Sequence, residues 1–267
     1  MAEIILSRNE FLVLLNMMQV SSVVGIDTET LIPENPDEHR SKLEQGHQEL
    51  QDRGLVRVQA DGTLTMPELL VLIARVVTRP EIAIISRRES ELGSQLFVHY
   101  VIDEFVVEQT FPAEGKHRLE TLANLDALFE RLLTIFPVTS SQTSQISISM
   151  HQDAFLEAED AVEKGQMSKA LSVFQTAGLK VTQTESLLQS LQQAQFSGNI
   201  ALLRCQDETI IDARNPLIVQ GPELAWTISQ YPAGEPHLQI TSVGRSEFNA
   251  LLKQLFQELK SVPNTSQ

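Results

Sequence analysis

Hydrophobic and polar positions follow one another in blocks along the chain, and the first blocks predict a strand followed by a helix. Ile4-Ile5-Leu6 has the apolar character of a short strand. Ser7-Arg8-Asn9-Glu10 has the spacing of a capping box, in which a serine and a glutamate satisfy the first free N–H groups of a helix. The next apolar residues fall on one helical face: Phe11, Leu12, Leu14, Leu15 and Met18.

The same order recurs in the second part of the chain. Ile146 and Ile148 alternate with serines and predict a strand, after which we expect Ser149 to begin a helix. A second helical pattern in each part ends at a glycine, Gly54 and Gly178, because glycine readily takes the left-handed conformation that closes a helix. We expect a strand to start directly after each of these glycines.

Two T-x-x-E patterns predict the N-terminus of a third helix in each part, beginning at Thr65 and at Thr182, 117 residues apart. Each part then closes with an amphipathic helix whose four apolar positions recur at a spacing of 120 residues. These positions are Leu128, Leu132, Ile135 and Phe136 in the first part, and Phe248, Leu252, Leu255 and Phe256 in the second.

Between the third and the closing helix, β-branched and aromatic residues separated by polar turns predict strands. The predicted strands are 82–85, 95–101 and 105–109 in the first part, and 200–203, 209–212, 217–220 and 224–229 in the second. The small polar residues that follow Pro137 predict a linker. We therefore divide the chain into a first half, 1–137, a linker, 138–145, and a second half, 146–267. Residues 21–40 have no counterpart in the second half and are predicted to form a loop.

This alternation predicts an α+β fold built from two similar halves, and the composition excludes several functions. The chain of 267 residues has a formal net charge of −15, and residues 1–140 alone carry −10, with 12 basic against 22 acidic residues. Because no Lys/Arg-rich run offsets this charge, binding to nucleic acid or to an anionic membrane is disfavoured. The single cysteine, the lack of a basic leader and the lack of a long apolar run indicate a cytoplasmic protein without a membrane span.

No pattern in the sequence points to catalysis, to a cofactor or to a metal. The six histidines have no completing ligands nearby and are interpreted as solvated or capping residues. Asp103-Glu104 and Asp207-Glu208 lie between predicted strands and are interpreted as hairpin turns rather than acid–base pairs. Cys205 has only Arg204 as a basic neighbour and is interpreted as an inert buried thiol. An enzyme whose active site is scattered along the chain stays open as an alternative.

One segment, residues 50–66, favours a second alternative. It runs from a helix through Gly54 to Val56-Arg57-Val58, a turn at Asp61-Gly62 and Leu64, which resembles the end of a winged-helix DNA-binding domain. An acidic, winged-helix-containing transcriptional regulator would show a basic stripe around Arg53 and Arg57. The net charge opposes this interpretation.

Several of these residues, in their order, resemble the EspG family of ESX (type VII) secretion chaperones. The resemblance lies in Arg53-Gly54-Leu55-Val56, Asp61-Gly62, Pro67-Glu68-Leu69-Leu70 and Arg79-Pro80, and then in the strand with Arg87-Arg88, the strand with Val106-Val107 and the Leu-rich helix that ends in Pro137. It covers most of the first half, and the second half matches through the two-fold repeat that the family shares. The chain is richer in Gln, Ser and Ile than typical members, which indicates a distant member with different clients.

The resemblance implies a central, mostly antiparallel sheet flanked by two helical bundles, related by a pseudo-two-fold axis. It implies a non-enzymatic cytosolic chaperone, monomeric or homodimeric and without a cofactor. Its partner would be a helical secretion substrate of the PE–PPE or WXG type, whose apolar tip the chaperone covers. A mostly antiparallel sheet can leave one face free of helices, and apolar residues on such a face would bind the tip.

For this partner-binding surface, the sequence suggests apolar residues of the second half's predicted sheet. They are Phe196, Leu202, Trp226, Ile228 and Tyr231. Trp226 and Tyr231 are favoured, because aromatic side chains with a polar group are enriched at protein interfaces. Each of the five also fits a place in the hydrophobic core.

Overall fold

The predicted blocks fold into eight helices and thirteen strands in the residues that the structure, a computed structural model, describes: 2–27, 31–59, 64–139, 146–206, 209–230 and 236–261. The helices are α1 (Arg8–Met17), α2 (Pro36–Asp52), α3 (Glu68–Thr78), α4 (Leu125–Ile135), α5 (Gln152–Glu163), α6 (Met167–Thr176), α7 (Val181–Gln192) and α8 (Arg245–Ser261). The strands are β1 (Glu3–Ser7), β2 (Arg57–Val58), β3 (Leu64–Thr65), β4 (Ile82–Ser90), β5 (Gly93–Ile102), β6 (Phe105–Thr110), β7 (Lys116–Leu122), β8 (Ser147–His151), β9 (Phe196–Gln206), β10 (Thr209–Arg214), β11 (Leu217–Gln220), β12 (Ala225–Gln230) and β13 (His237–Val243).

A large sheet dominates the described residues. Eleven strands join it in the order β1-β7-β6-β5-β4-β9-β11-β12-β13-β8, with β10 also paired to β9, while β2 and β3 form a separate two-stranded ribbon. The pairs β1–β7, β6–β7, β5–β6, β9–β11, β11–β12, β12–β13 and β8–β13 are antiparallel. The prediction of an α+β fold with a large antiparallel sheet is confirmed.

Each half places its first strand at a sheet edge, next to its last strand. In the first half β1 pairs with β7, and in the second half β8 pairs with β13. The remaining strands follow from the last strand inwards in both halves. This recurring order is what an internal repeat would produce, and the repeat itself stays a prediction.

The chain divides into two compact units that are not identical with its two halves. The first unit contains Met1–Ile85, Leu96–Leu128 and Leu203–Ala213, and the second contains Ser86–Gln95, Phe129–Leu202 and Arg214–Gln267. In the first unit α1 packs on α2, β1 and α3. In the second unit α5, α6 and α7 pack on one another as a three-helix bundle.

The predicted capping box at the start of α1 is confirmed and also anchors the end of α2. The Ser7 hydroxyl accepts the Glu10 N–H at 3.1 Å, and the Glu10 carboxylate accepts the Ser7 N–H at 2.6 Å. The same buried carboxylate accepts two hydrogen bonds from Arg53, at 2.6 and 2.7 Å, just after α2 ends. A buried carboxylate needs such partners, because an unpaired charge there would be strongly destabilising.

Both predicted T-x-x-E capping boxes are wrong. Thr65 lies in β3, where its hydroxyl donates to the Arg57 carbonyl at 3.4 Å, and α3 begins three residues later behind Pro67. Helix α7 begins at Val181, so that Thr182 already lies inside its first turn. The Gln183 side chain accepts the N–H of Lys180 at the cap, which is the role that the predicted pattern gave to its glutamate.

Other predicted boundaries are shifted. Helix α5 begins after His151 rather than at Ser149, because His151 is the residue that accepts the first free N–H group of the helix. No strand separates Gly178 from α7. Helix α2 begins inside the predicted loop 21–40, with Asn35 as its cap and Pro36 in its first turn. Strands β7 and β13 were not predicted, whereas the hairpin turn at residues 103–104 is confirmed.

Two of the histidines that the sequence suggested to be solvated are buried in the first unit. His99 in β5 and Glu108 in β6 face each other, with the imidazole Nε2 2.9 Å from the carboxylate. Gln109 donates from its side-chain nitrogen to Nδ1 of His117 at 2.8 Å, and the Phe11 ring stacks on His117 with centroids 4.3 Å apart. Glu108 and Gln109 are adjacent in β6, so these contacts lie on opposite faces of the sheet. On one face His99 and Glu108 form a pair, and on the other Tyr100, Gln109 and His117 form a polar network within the apolar core.

A close approach of α1 and α2 depends on Gly46. A Cβ atom at this position would fall on the Asn9 carbonyl group, nearer than van der Waals contact allows. Alanine normally stabilises a helix relative to glycine by about 1 kcal/mol. We expect Gly46→Ala instead to lower the free energy of unfolding by about 1–3 kcal/mol, because backbone atoms cannot move aside cheaply. Urea denaturation followed by circular dichroism measures this change.

Ser41→Ala is the matched control for Gly46→Ala. Ser41 is exposed on the same helix, so its replacement should leave stability unchanged or raise it by a few tenths of a kcal/mol. An increase in stability on Gly46→Ala, similar to that of the control, would show that α1 and α2 have room to separate.

Candidate functional site

Four of the five residues that the sequence suggested for partner binding are buried in the second unit or at its boundary. Phe196, Leu202, Trp226 and Ile228 are at most 3% exposed, and Tyr231 lies outside the described residues. A partner cannot contact these four side chains directly while the surrounding structure keeps this arrangement.

The buried residues also do not share one face of the sheet. Phe196 pairs with Gln220, and Gln220 pairs with Ala225, so these three residues point to the same side. Trp226 follows Ala225 and points to the opposite side, because side chains alternate along a strand. Trp226 and Ile228 belong to the core cluster beneath α5, α6 and α7, to which Phe196 does not belong.

The exposed positions near the sheet edge in the second unit are polar rather than apolar. In β8, Ile148 and Met150 are buried, while Ser147 and Ser149 are exposed on the other face. Ser147 lies within hydrogen-bond distance of Thr241 in β13, at 3.1 Å between the hydroxyl oxygens. The expected apolar patch is therefore absent from this part of the described sheet face.

A groove runs instead between this sheet edge and the helix pair α5–α6. It has a volume of about 470 Å³. Its sheet side is formed by Ser149, Met150, His151 and His237, and its helix side by Ala154, Glu157, Ser172, Val173, Thr176 and Ala177. The small side chains of both helices leave the space that larger residues would fill.

Two histidines form the end of this groove. His151 and His237 are cross-strand neighbours of β8 and β13, and their rings meet edge to face with centroids 5.4 Å apart. Nδ1 of His151 accepts the N–H of Asp153 at 3.3 Å and so begins α5. The sequence interpretation of the histidines as capping residues is confirmed at His151.

Close packing of α5 and α6 fixes the helix side of the groove. Ala158, Ala161 and Ala170 are fully buried, and the rings of Phe155 and Phe174 meet edge to face with centroids 6.2 Å apart. These residues belong to the same core cluster as Trp226, and the groove residues Ala154, Val173 and Ala177 pack against that cluster. The groove therefore combines an apolar floor with a rim of hydroxyl, imidazole and carboxylate groups, which suits side chains of another protein.

A second, smaller groove of about 280 Å³ lies between α6 and α7. Met167, Leu171 and Leu188 supply its apolar part, and Gln189 and Gln192 supply amide groups. Both grooves lie in the same three-helix bundle and share α6.

A cavity of about 490 Å³ in the first unit contains the only cysteine of the chain. Burial raises the pKa of Cys205 to about 11, so its thiol stays protonated at neutral pH. Because the thiolate is the nucleophile, this cysteine is unsuited to covalent catalysis. The interpretation of Cys205 as an inert buried thiol agrees with this geometry.

The structure does not favour the winged-helix alternative, because Arg53, which was expected to contact DNA, is bound within the chain. Strands β2 and β3 do form a ribbon, although the Asp61-Gly62 turn lies outside the described residues. The guanidinium group of Arg53 is bound to the Glu10 carboxylate at 2.6 Å rather than directed at a ligand. Arg57 alone does not form the basic stripe that a DNA-binding wing requires.

Among the described residues, no three histidine, cysteine or acidic side chains lie close enough together to hold a metal ion. In the same residues, none of the helices combines the length and the apolar character needed to cross a membrane.

Comparison with known proteins finds a likeness in structure but none in sequence. No family model matches the chain, and no curated protein is similar to it in sequence. The fold is similar to that of the Mycobacterium tuberculosis type VII secretion system chaperone EspG5, in the structure of its complex with the PE25–PPE41 dimer. The TM-score is 0.69 at 13% identity, over 100% of this chain and 99% of the other. The chain therefore has an EspG-like fold.

Proposed function

We propose that this chain is a non-enzymatic cytoplasmic chaperone that binds a helical partner protein. The main support for this proposal is the α5–α6 groove, which has an apolar floor and a polar rim beside a sheet edge. The chain that contains it is similar in fold, over its full length, to a secretion chaperone. Such a groove accepts the apolar side chains at the end of a helical hairpin and leaves the rim to hydrogen-bond exposed backbone groups.

The partner that this site suits best is a helical secretion substrate of the PE–PPE type. The similar chaperone EspG5 is in complex with a PE25–PPE41 dimer. Covering the apolar tip of such a substrate keeps it from aggregating, because large exposed apolar patches associate in water. The proposal requires no cofactor and no catalytic residue.

Of the residues suggested from the sequence, Tyr231 is proposed as a direct contact, because an aromatic ring with a hydroxyl suits an interface. For Trp226, Ile228, Phe196 and Leu202 we propose an indirect role. Trp226 and Ile228 lie in the cluster on which the groove floor packs, so they hold the floor in place rather than touch the partner.

The groove is tested by filling it from an exposed position. Ser172 is exposed on α6 and lines the groove, so Ser172→Trp should fill it without disturbing the core. The tagged chain is used to capture proteins from its native lysate, and a small helical protein captured in stoichiometric amount is then produced and titrated against each variant. We expect Ser172→Trp to weaken its affinity at least about tenfold, the effect of losing a central contact worth about 1.4 kcal/mol.

Ser168→Trp is the matched control, since Ser168 is also exposed on α6 but lines the smaller groove beside α7. We expect it to bind like the unsubstituted chain. If only Ser168→Trp weakened binding, the α6–α7 groove would be the site. If neither variant changed the affinity, or no helical protein were captured, the proposed function would lose its support.

A further inference from the structure

Helix α3 carries an exposed face that is mostly apolar, although the helix also buries its opposite face. Leu69, Val71 and Leu72 are 43%, 40% and 38% exposed. The buried side of the helix contains Leu70, Ile73, Ala74, Val76 and Val77. A helix that is apolar on all sides is normally covered on all sides. The exposed face of α3 therefore lacks a covering surface in the isolated chain.

The ribbon that precedes α3 in the chain also exposes apolar side chains. Val58 in β2 and Leu64 in β3 are cross-strand neighbours, and they are 51% and 41% exposed. A net charge of −15 would keep two copies of the chain apart unless complementary charges are placed at the contact.

The charges of α3 have this complementary arrangement. Glu68 and Arg75 are the only charged residues of the helix, and both are exposed. They are seven residues apart, about 10 Å along the axis and on the same side of the helix. Val71 and Leu72 lie midway between them. Among the described residues, neither charged side chain has an ion-pair partner within the chain.

We infer that α3 packs antiparallel against α3 of a second copy of this chain, about a two-fold axis between Val71 and Leu72. In that arrangement Glu68 of each copy faces Arg75 of the other, and the apolar residues meet in the centre. The contact is isologous, because the same patch serves both copies. A single helix pair buries less than the about 1,200 Å² of a stable interface, so the dimer is weak and concentration-dependent.

Sedimentation velocity from about 5 to 500 µM, at about 0.15 M salt to screen long-range repulsion, measures this association. We expect the unsubstituted chain to shift from monomer to dimer across the series. Glu68→Lys and Arg75→Glu should each weaken self-association at least about tenfold, since each variant places two pairs of like charges across the axis. Thermal unfolding confirms that both variants are folded.

An equimolar mixture of the two single variants is the decisive sample. In the mixed pair both contacts join opposite charges, so the mixture should associate to within about threefold of the unsubstituted chain. A chain that stays monomeric throughout the series would overturn the inference. So would single variants that dimerise normally, or a mixture that associates no better than its components.

The dimer contact and the proposed partner-binding groove can be tested independently of each other. Ser172→Trp leaves α3 unchanged, so this variant should dimerise like the unsubstituted chain even where it no longer binds the helical partner. Loss of dimerisation in that variant would contradict the assignment of the dimer contact to α3.

Discussion

Replacing Trp226 by alanine is expected to lower the free energy of unfolding by about 3–5 kcal/mol, the usual loss for a fully buried large aromatic residue. The Trp226 side chain has no exposed surface and lies in the core cluster beneath α5, α6 and α7. Its indole N–H donates to the Ser190 hydroxyl at 3.2 Å, which ties β12 to α7. Urea denaturation followed by far-ultraviolet circular dichroism measures the change.

Trp226→Phe is the matched control, because it keeps most of the ring volume and removes the N–H donor. Its expected cost is about 1–2 kcal/mol, with the Ser190 hydroxyl still donating to the Ser186 carbonyl. If Trp226→Ala left stability unchanged but abolished partner capture, the indole would be a direct contact and its indirect role would be wrong. Capture by this variant is informative only at temperatures where the protein is folded.

Acidification is the second change with a large expected effect, through His117. Burial, with a smaller contribution from the charge of Arg8, lowers the pKa of His117 to about 4, compared with about 6.5 in an unfolded chain. Burial thus keeps the ring neutral in the native state, and the neutral Nδ1 accepts a hydrogen bond from the side-chain nitrogen of Gln109. The unfolded state takes up a proton first as the pH falls, so the stabilisation is complete above about pH 6.5 and is lost between about pH 6.5 and 4.

The expected loss from this residue between pH 7.5 and pH 4.5 is about 2.5 kcal/mol. It is measured as the difference in urea unfolding free energy at the two pH values. In His117→Gln this difference should shrink by about that amount, because glutamine does not titrate. His39→Gln, on α2 and away from the network, should keep the unsubstituted difference. An undiminished difference in His117→Gln would mean that other groups cause the acid sensitivity.

Sequence patterns predicted those elements whose signals are local. Ser7 and Glu10 are three residues apart, so their capping box depends on nothing distant and is found as predicted. Strand β7 has no comparable signal, because its buried positions are His117, Leu119 and Thr121, of which only one is apolar. The buried polar side chains His117 and Thr121 have hydrogen-bond partners that are distant in sequence. Gln109 donates to His117, and the N–H of Ala2 donates to the Thr121 hydroxyl at 2.9 Å.

The candidate groove was missed for the same reason. Its lining comes from two strands and two helices, and no stretch of the sequence holds more than a few of its residues. One signal was available: Ala154, Ala158 and Ala161 recur on one face of α5, which indicates a helix that packs closely against neighbours. The sequence suggested aromatic residues for the partner-binding surface, but large aromatic side chains also fill a hydrophobic core. Trp226 does so and is fully buried.

The pairing of β1 with β7 has a consequence for the order of events during synthesis. Residues 3–7 leave the ribosome long before residues 116–120, with which they pair one by one. At 5–20 residues per second, the apolar first strand waits on the order of 10 s for its partner. The earliest segment to be made is therefore the last to enter the first-half sheet, and in that interval a chain proposed to protect other proteins needs protection of its own.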